Sequence, residues 1–156
     1  MAALFPHAQG PLTEVLARPT TGARPKPLKQ RDWQVFHGVL SGLREFVPAG
    51  LPVIVRAANL NASAYGTCQH TRSSFVISIA ANLSQQQAID VLLHEWGHAL
   101  SWNHALDKLA RDPELPADEF ELASHDSAWG CAFARVWRAY SGVIVPGLRA
   151  GLRAGA

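Results

Sequence analysis

The chain has 156 residues, of which 48% are hydrophobic and 17% charged, a composition typical of one folded domain rather than a disordered tail or a membrane bundle. Its formal net charge of +2 is too small to indicate nucleic-acid binding by itself. Two cysteines exclude a disulfide framework and a four-cysteine zinc site. No apolar run is long enough to cross a bilayer, and the N-terminus lacks a signal-peptide pattern. We therefore expect a cytoplasmic protein with no membrane partner.

The sequence divides into an arm, a domain and a tail. Residues 1–31 contain five prolines and an excess of basic residues, which predicts a flexible basic arm. Residues 32–141 carry the periodic apolar pattern of a folded domain. Residues 142–156 are rich in glycine, alanine and arginine and predict a flexible tail.

The first half of the domain predicts one helix followed by three strands. Apolar residues recur every three or four positions from residue 33 to 47, with Asp32 as the expected N-cap. Residues 51–58, 64–67 and 74–80 read as short strands. Three successive strands predict a small meander, and we expect a free edge near residues 75–79 that an extended peptide can pair with.

The second half predicts helices on either side of an acidic loop. Ser84 is the expected N-cap of a strong helix that runs to residue 102. Residues 107–126 hold seven acids and two bases, so the rest of the chain carries a net charge of +7. This concentration of negative charge predicts a solvated loop over 107–124. A last helix is expected over 127–140. The predicted fold class is α+β: an N-terminal helix, a small three-stranded sheet, a central helix and a C-terminal helix.

The central helix contains a metal-binding motif. His94, Glu95 and His98 form an H-E-x-x-H string. Residues four apart share one face of a helix, so both imidazoles can reach one ion, while Glu95 is offset toward the position of a reacting water. A helix whose histidines only form hydrogen bonds is the alternative. The burial of two imidazoles and a carboxylate on an apolar helix makes that reading costly.

A catalytic zinc ion commonly takes three protein ligands, so a third must come from elsewhere. His125 is the preferred candidate. It stands at the start of the last predicted helix, with Trp129 one turn further on and able to pack against the motif helix.

Two other sources of a third ligand stay open. His104 completes H-E-x-x-H-x-x-S-x-x-H, which resembles the metzincin pattern, but Ser101 replaces the metzincin glycine and no methionine follows Met1. A glutamate of the acidic segment, Glu119 or Glu121, is the other source, as in the gluzincins.

The chain resembles the SprT-like metalloprotease family, which includes the Spartan-type proteases. The resemblance covers about residues 33–140. It rests on HEWGHALSW at 94–102, on the His-x-x-x-aromatic element from His125 to Trp129, and on the Gly-x-Cys segment at 66–68 before an apolar strand.

The resemblance implies a zincin-like minimal protease domain that hydrolyses peptide bonds of a protein or peptide substrate. It also implies that His94, His98 and His125 bind Zn²⁺ and that Glu95 is the general base. A zinc ion would lower the pKa of a bound water toward neutrality. Asp126 departs from the family, which usually has glycine there. The chain also lacks the cysteines of the C-terminal zinc ribbon found in many relatives.

Several functional questions stay open at this level. Candidates for stabilising the oxyanion are Tyr65, His70, Arg72 and His104. The basic residues of the two termini favour contact with DNA phosphates, although they also suit solubilising segments. The alternative functions are a metal-stabilised binding or regulatory module without turnover, a protease that uses His104 as third ligand, and a zinc hydrolase acting on a non-peptide amide.

Overall fold

The computed structural model describes residues 26–60 and 64–154, so most of the predicted arm lies outside the described residues. After a 3₁₀ helix at Leu28–Gln30, the elements are α1 (Gln34–Phe46), β1 (Val53–Ala58), β2 (Gly66–His70), β3 (Phe75–Ala80), α2 (Gln85–Ser101), α3 (His104–Ala110), α4 (Ala117–Ser124), α5 (Ser127–Ala139) and, after a π-helical turn at Tyr140–Ile144, α6 (Val145–Ala154). The α+β class and the three-stranded sheet are confirmed. No helix within these two ranges combines the length and the apolar character needed to cross a membrane.

The three strands form one mixed sheet in the order β1-β3-β2, with β1 parallel to β3 and β2 antiparallel to it. The predicted meander is therefore wrong, and so is the predicted free edge at residues 75–79, because β3 is the central strand. The physical reason is composition. The apolar run of β3 includes Ile77 and Ile79, both 0% exposed. The more polar β2, which includes Thr67, Gln69 and His70, suits an edge.

Helix α2 is the centre of the domain and packs against α5 on one side and against β2 and β3 on the other. Its N-cap is Ser84, as predicted. The Ser84 hydroxyl accepts from the Gln87 N–H, and the Gln87 side-chain oxygen accepts from the Ser84 N–H. On its core side Trp96 is fully buried and donates its indole N–H to the Val47 carbonyl at 2.8 Å. This bond ties the motif helix to the end of α1.

The Ser84 cap gives a first testable prediction. Ser84→Ala removes the acceptor for a backbone N–H at the start of α2, so we expect the free energy of unfolding to fall by about 1 kcal/mol in urea denaturation. Ser127→Ala is the matched control, because Asp126 rather than Ser127 caps α5. Equal stability of the Ser84→Ala variant and the wild type would contradict the role of this cap.

The segment 107–124, predicted as an acidic loop, instead contains most of α3 and all of α4. Pro116 is the N-cap residue of α4, a place where a missing N–H costs no hydrogen bond. Asp118 and Glu119 occupy the first turn, where negative charge is favourable. The buried Leu106 holds α3 on the domain.

The described part of the predicted flexible tail, residues 142–154, is helical, because the chain continues from α5 through the π-helical turn into α6. Two glycines of α1 explain why it docks. A Cβ on Gly42 would lie 2.7 Å from Ile144 Cγ1, and one on Gly38 would lie 2.4 Å from Leu148 Cδ2. The lack of a side chain at these two positions of α1 thus makes room for Ile144, which is buried, and for Leu148.

The start of the domain lies a few residues earlier than predicted. Leu28 is buried, and the Arg31 guanidinium donates to the Ala81 carbonyl at 2.8 Å, so part of the predicted arm packs on the domain. The predicted cap Asp32 is wrong. Trp33 is the N-cap residue of α1 and its own side chain makes no capping bond, but the Phe36 N–H in the first turn donates to the side-chain oxygen of Gln85 at 3.0 Å.

Candidate metal centre and cleft

Three histidine side chains converge beside α2. His94 and His98 lie one turn apart on the same helix face, with their Nε2 atoms 3.2 Å apart. His125 arrives from the junction of α4 and α5 and places its Nε2 atom 3.0 Å from that of His94. One ligand atom from each of the three residues lies within 4.8 Å of the others. The structure thus brings together the three residues that the sequence singles out as metal ligands.

A backbone carbonyl orients the His125 ring from the side that faces away from the other two histidines. It is the C-cap residue of α4, and its Nδ1–H donates to the Glu121 carbonyl at 2.7 Å. That bond fixes the tautomer that leaves the Nε2 lone pair facing the other two rings. Asp126 follows directly and caps α5 by accepting from the Trp129 N–H at 2.9 Å, one of the two roles that the sequence leaves open for it.

The spacing of the three nitrogens suits a metal ion. Tetrahedral ligands at about 2.0–2.1 Å from zinc stand about 3.3 Å from one another, and the two Nε2 pairs around His94 are separated by 3.0 and 3.2 Å. Three neutral imidazoles are donors that zinc and several other first-row divalent ions accept. The residues present therefore fit such an ion, without singling out one metal.

Burial keeps the two motif histidines in their metal-binding form. It lowers the pKa of His94 to about 4, with a smaller contribution from His125. It also lowers the pKa of His98 to about 3, helped by His94 and His125. Both rings are consequently neutral at pH 7, the form in which imidazole binds metals.

Glu95 lies buried beside the cluster and is only 7% exposed. Burial, with a smaller contribution from Glu121, raises the pKa of Glu95 to about 8. A divalent cation held by the neighbouring histidines would favour the ionised carboxylate and lower this pKa. A carboxyl group poised near neutrality is what general acid–base catalysis requires.

Trp129 packs against all three imidazoles. Its ring centroid lies 4.9 Å from that of His94, 5.6 Å from that of His98 and 4.6 Å from that of His125. The expected packing of Trp129 on the motif helix is confirmed. Gly97 allows this approach, since a Cβ there would lie 3.1 Å from the Trp129 Nε1 atom.

The other predicted candidates lie away from the converging nitrogens. His104 is exposed at the first position of α3, and Glu119 is exposed on α4. Neither belongs to the histidine cluster found among the described residues. The Glu121 carboxylate lies 3.7 Å from His125 Nδ1, which is the ring nitrogen opposite the cluster. Glu121 therefore lies on the far side of the His125 ring and is not one of the residues whose ligand atoms converge.

The cluster opens into a cleft of about 1440 Å³. One wall is β2, which forms an edge of the sheet among the residues that the structure describes. Other parts of the lining come from α3, α4 and the rings of Trp129 and Phe133. Two of the predicted oxyanion candidates, Tyr65 and His70, line the cleft. Arg72 and His104 are exposed elsewhere.

Sequence reasoning did not identify Gly66 as part of the site. A Cβ on Gly66 would lie 2.4 Å from Val91 Cγ1 and 2.9 Å from Glu95 Oε1, so only glycine lets β2 lie this close to the motif helix. A glycine inside a strand pattern is a general sign of such an approach and could have drawn attention to it. The Glu121 carbonyl, which accepts from His125 Nδ1, was also not predicted. Every residue has a backbone carbonyl, so the sequence does not show which one will serve as an acceptor.

This close approach gives a second prediction. In Gly66→Ala the new methyl group must displace Val91 or Glu95, so we expect the free energy of unfolding to fall by about 1–3 kcal/mol. Gly130→Ala on α5 is the matched control. Among the residues that the structure describes, nothing lies within 4 Å of a Cβ at that exposed helical position, so alanine there should leave stability unchanged or raise it. Urea denaturation measures both, and the same effect in both variants would contradict the close packing.

Comparisons of the chain with protein-family models, with curated proteins and with solved structures find no match.

Proposed function

We propose that the protein is a zinc-dependent metallopeptidase of the SprT-like, zincin type. The observation that carries the proposal is the convergence of His94, His98 and His125 beside the buried carboxyl group of Glu95, on the floor of an open cleft. Three protein ligands with an adjacent acid–base group are typical of catalytic zinc sites.

Each group of the site has a task in peptide hydrolysis. When bound, the ion would polarise the peptide carbonyl and lower the pKa of water. Glu95 accepts the proton of the attacking water and later delivers it to the leaving amine. The neutral rings of His94 and His98 could bind an ion without first losing protons, and the bond from His125 Nδ1 to the Glu121 carbonyl directs Nε2 of that ring toward the same position.

The edge of β2 supplies a place for the substrate. Its inner edge is bonded to β3, while its outer edge borders the cleft that contains the histidine cluster. Unpaired backbone groups of an edge strand can bond to an extended peptide. The peptide would then pass next to Glu95, because Gly66 lies against that side chain. This edge takes the place of the one that the sequence predicts on β3.

A metal-stabilised binding module is the second candidate function. A structural zinc site usually has four protein ligands, whereas the cluster among the described residues has three. A buried carboxyl group also has no evident use beside a purely structural ion. These features favour catalysis, and the position of His125 favours it over the exposed His104 as third ligand.

Removal of the metal tests the proposed function. We expect the purified protein to cleave a mixture of unstructured peptides, to lose this activity after treatment with 1,10-phenanthroline, and to regain it with one equivalent of Zn²⁺. Mass spectrometry of the peptides measures cleavage, and elemental analysis measures the metal. Cleavage by the metal-free protein would contradict the proposal. Stoichiometric zinc without cleavage of any peptide would favour the binding module.

We also propose that DNA is a partner through the basic C-terminal helices. Four arginines are exposed on α5 and α6, and residues 127–156 contain no acid. They are Arg135, Arg138, Arg149 and Arg153. Contacts to phosphates release counterions, so the affinity for DNA should fall steeply between 50 and 200 mM salt. An affinity independent of salt would contradict this contact.

A further inference from the structure

A second cluster of polar side chains lies in the same cleft but outside the histidine cluster. Asp107 Oδ1 accepts from His70 Nδ1 at 2.7 Å and from the Trp102 indole N–H at 2.8 Å. We name His70, Asp107 and Trp102 the Asp107 clasp. It joins β2 to the end of α2 and the start of α3. The proposed hydrolysis assigns no task to any of its members. His70 is at the opposite end of β2 from Gly66, which lies against Glu95, so it is too far from Glu95 to be the oxyanion donor that the sequence also allowed.

The clasp holds the imidazole of His70 in one orientation. The ring centroid of His70 lies 5.1 Å from that of Phe75 and 5.9 Å from that of Trp102. Because Trp102 also bonds the same carboxylate, Asp107 cannot turn without breaking two bonds. With Nδ1–H donating to Asp107, the neutral ring keeps Nε2 as a hydrogen-bond acceptor.

This acceptor is available to a molecule in the cleft. The side chain of His70 is 23% exposed, and both His70 and Asp107 line the cleft that contains the histidine cluster. If the His70–Asp107 bond served only to join β2 to α3, the His70 ring would not need to border the cleft. A histidine with one nitrogen on a carboxylate and the other free is a common arrangement for contacting substrates.

The position of His70 along β2 sets which part of a substrate it can reach. Gly66, at the other end of the strand, lies against Glu95. A strand advances about 3.3 Å per residue, so His70 lies roughly 13 Å further along. An extended peptide beside β2 covers that distance in three or four residues.

We propose that His70, oriented by Asp107, is a specificity-determining residue that accepts a hydrogen bond from the substrate three or four residues from the cleaved bond. The substrates it favours carry a side chain with an N–H or O–H donor at that one position, such as Ser, Thr, Asn, Gln or Lys. The inference rests on the proposed peptidase function. It adds a substrate preference that the metal centre does not supply.

The test compares cleavage profiles on a library of unstructured peptides. We expect zinc-loaded wild type to favour donor side chains at one position three or four residues from the cleaved bond. His70→Phe should lose this preference, by about two- to tenfold in relative rate, while peptides without a donor there are cleaved as before. His70→Gln keeps an acceptor and should restore part of it. His104→Ala, an exposed histidine outside the cleft, should keep the wild-type profile.

A second measurement does not depend on turnover. Binding of fluorescent peptides with and without the donor is measured by anisotropy on Glu95→Gln protein, with and without His70→Phe. The preference for the donor peptide should disappear only with His70→Phe. The inference is overturned if His70→Phe slows all peptides equally, if its profile matches wild type, or if anisotropy shows no preference. If wild type cleaves nothing but binds with this preference, the peptidase proposal fails and the His70 contact stands.

Discussion

Glu95→Gln is expected to bind zinc like the wild type and to cleave peptides about 10²- to 10⁴-fold more slowly. Glutamine fills the same space beside Gly66 but cannot accept a proton from water. The histidine cluster keeps its three nitrogens, so the metal content should not change. Peptide cleavage followed by mass spectrometry, together with elemental analysis of the same samples, measures both quantities.

The matched control is Glu119→Gln, which removes an exposed carboxylate from α4. It should leave both zinc content and cleavage at the wild-type level. Full activity of Glu95→Gln would remove Glu95 as general base. Loss of zinc from that variant would show that Glu95 belongs to the metal ligands instead.

His125→Ala is expected to weaken zinc binding by more than about 100-fold. Groups that merely orient a metal ligand contribute 10- to 100-fold to affinity, so loss of a ligand should exceed that range. Competition with a chromogenic chelator measures the affinity. His104→Ala is the control, because that side chain is exposed and lies apart from the cluster.

The two variants together distinguish the possible third ligands. Unchanged zinc affinity in His125→Ala would remove His125 from the site. A large loss in His104→Ala would favour the metzincin-like arrangement in its place. Thermal unfolding of both variants without metal checks that the fold is intact.

The motif helix could be predicted because its determinants are local. Ser84 and Gln87 are three residues apart and form a reciprocal cap, and the two motif histidines share a face through helix geometry alone. The helix spans Gln85–Ser101, one residue shorter than the predicted end at 102.

The order of the sheet could not be predicted in the same way. Strand pairing depends on which surfaces must be covered, and three successive strands can pair in more than one order. The apolar run Phe75–Ala80 did contain a clue, since a strand without polar alternation is usually covered on both sides. The predicted meander overlooked it.

The helices α3, α4 and α6 were missed because tertiary contacts outweigh weak local preferences. Glycines lower the helix propensity of residues 145–154, yet Ile144 and Leu148 fill the space above Gly38 and Gly42. In the acidic segment Pro116 precedes α4 as its N-cap residue, and proline is compatible with the start of a helix.

The site shows the same division between local and distant determinants. His94, Glu95 and His98 follow from spacing, whereas His125 is 27 residues beyond His98 and reaches the cluster only through the junction of α4 and α5. The link between His70 and Asp107 spans 37 residues and two elements. Such partners become visible only when the chain is folded.

The most direct test of the proposed metal centre is a crystal structure of the zinc-loaded protein with anomalous data collected at the zinc edge. The account predicts one ion bound by the Nε2 atoms of His94, His98 and His125 at about 2.0–2.1 Å, with no fourth protein ligand. An ion closed by a fourth side chain such as His104 or Asp126, or an ion bound elsewhere, would contradict it.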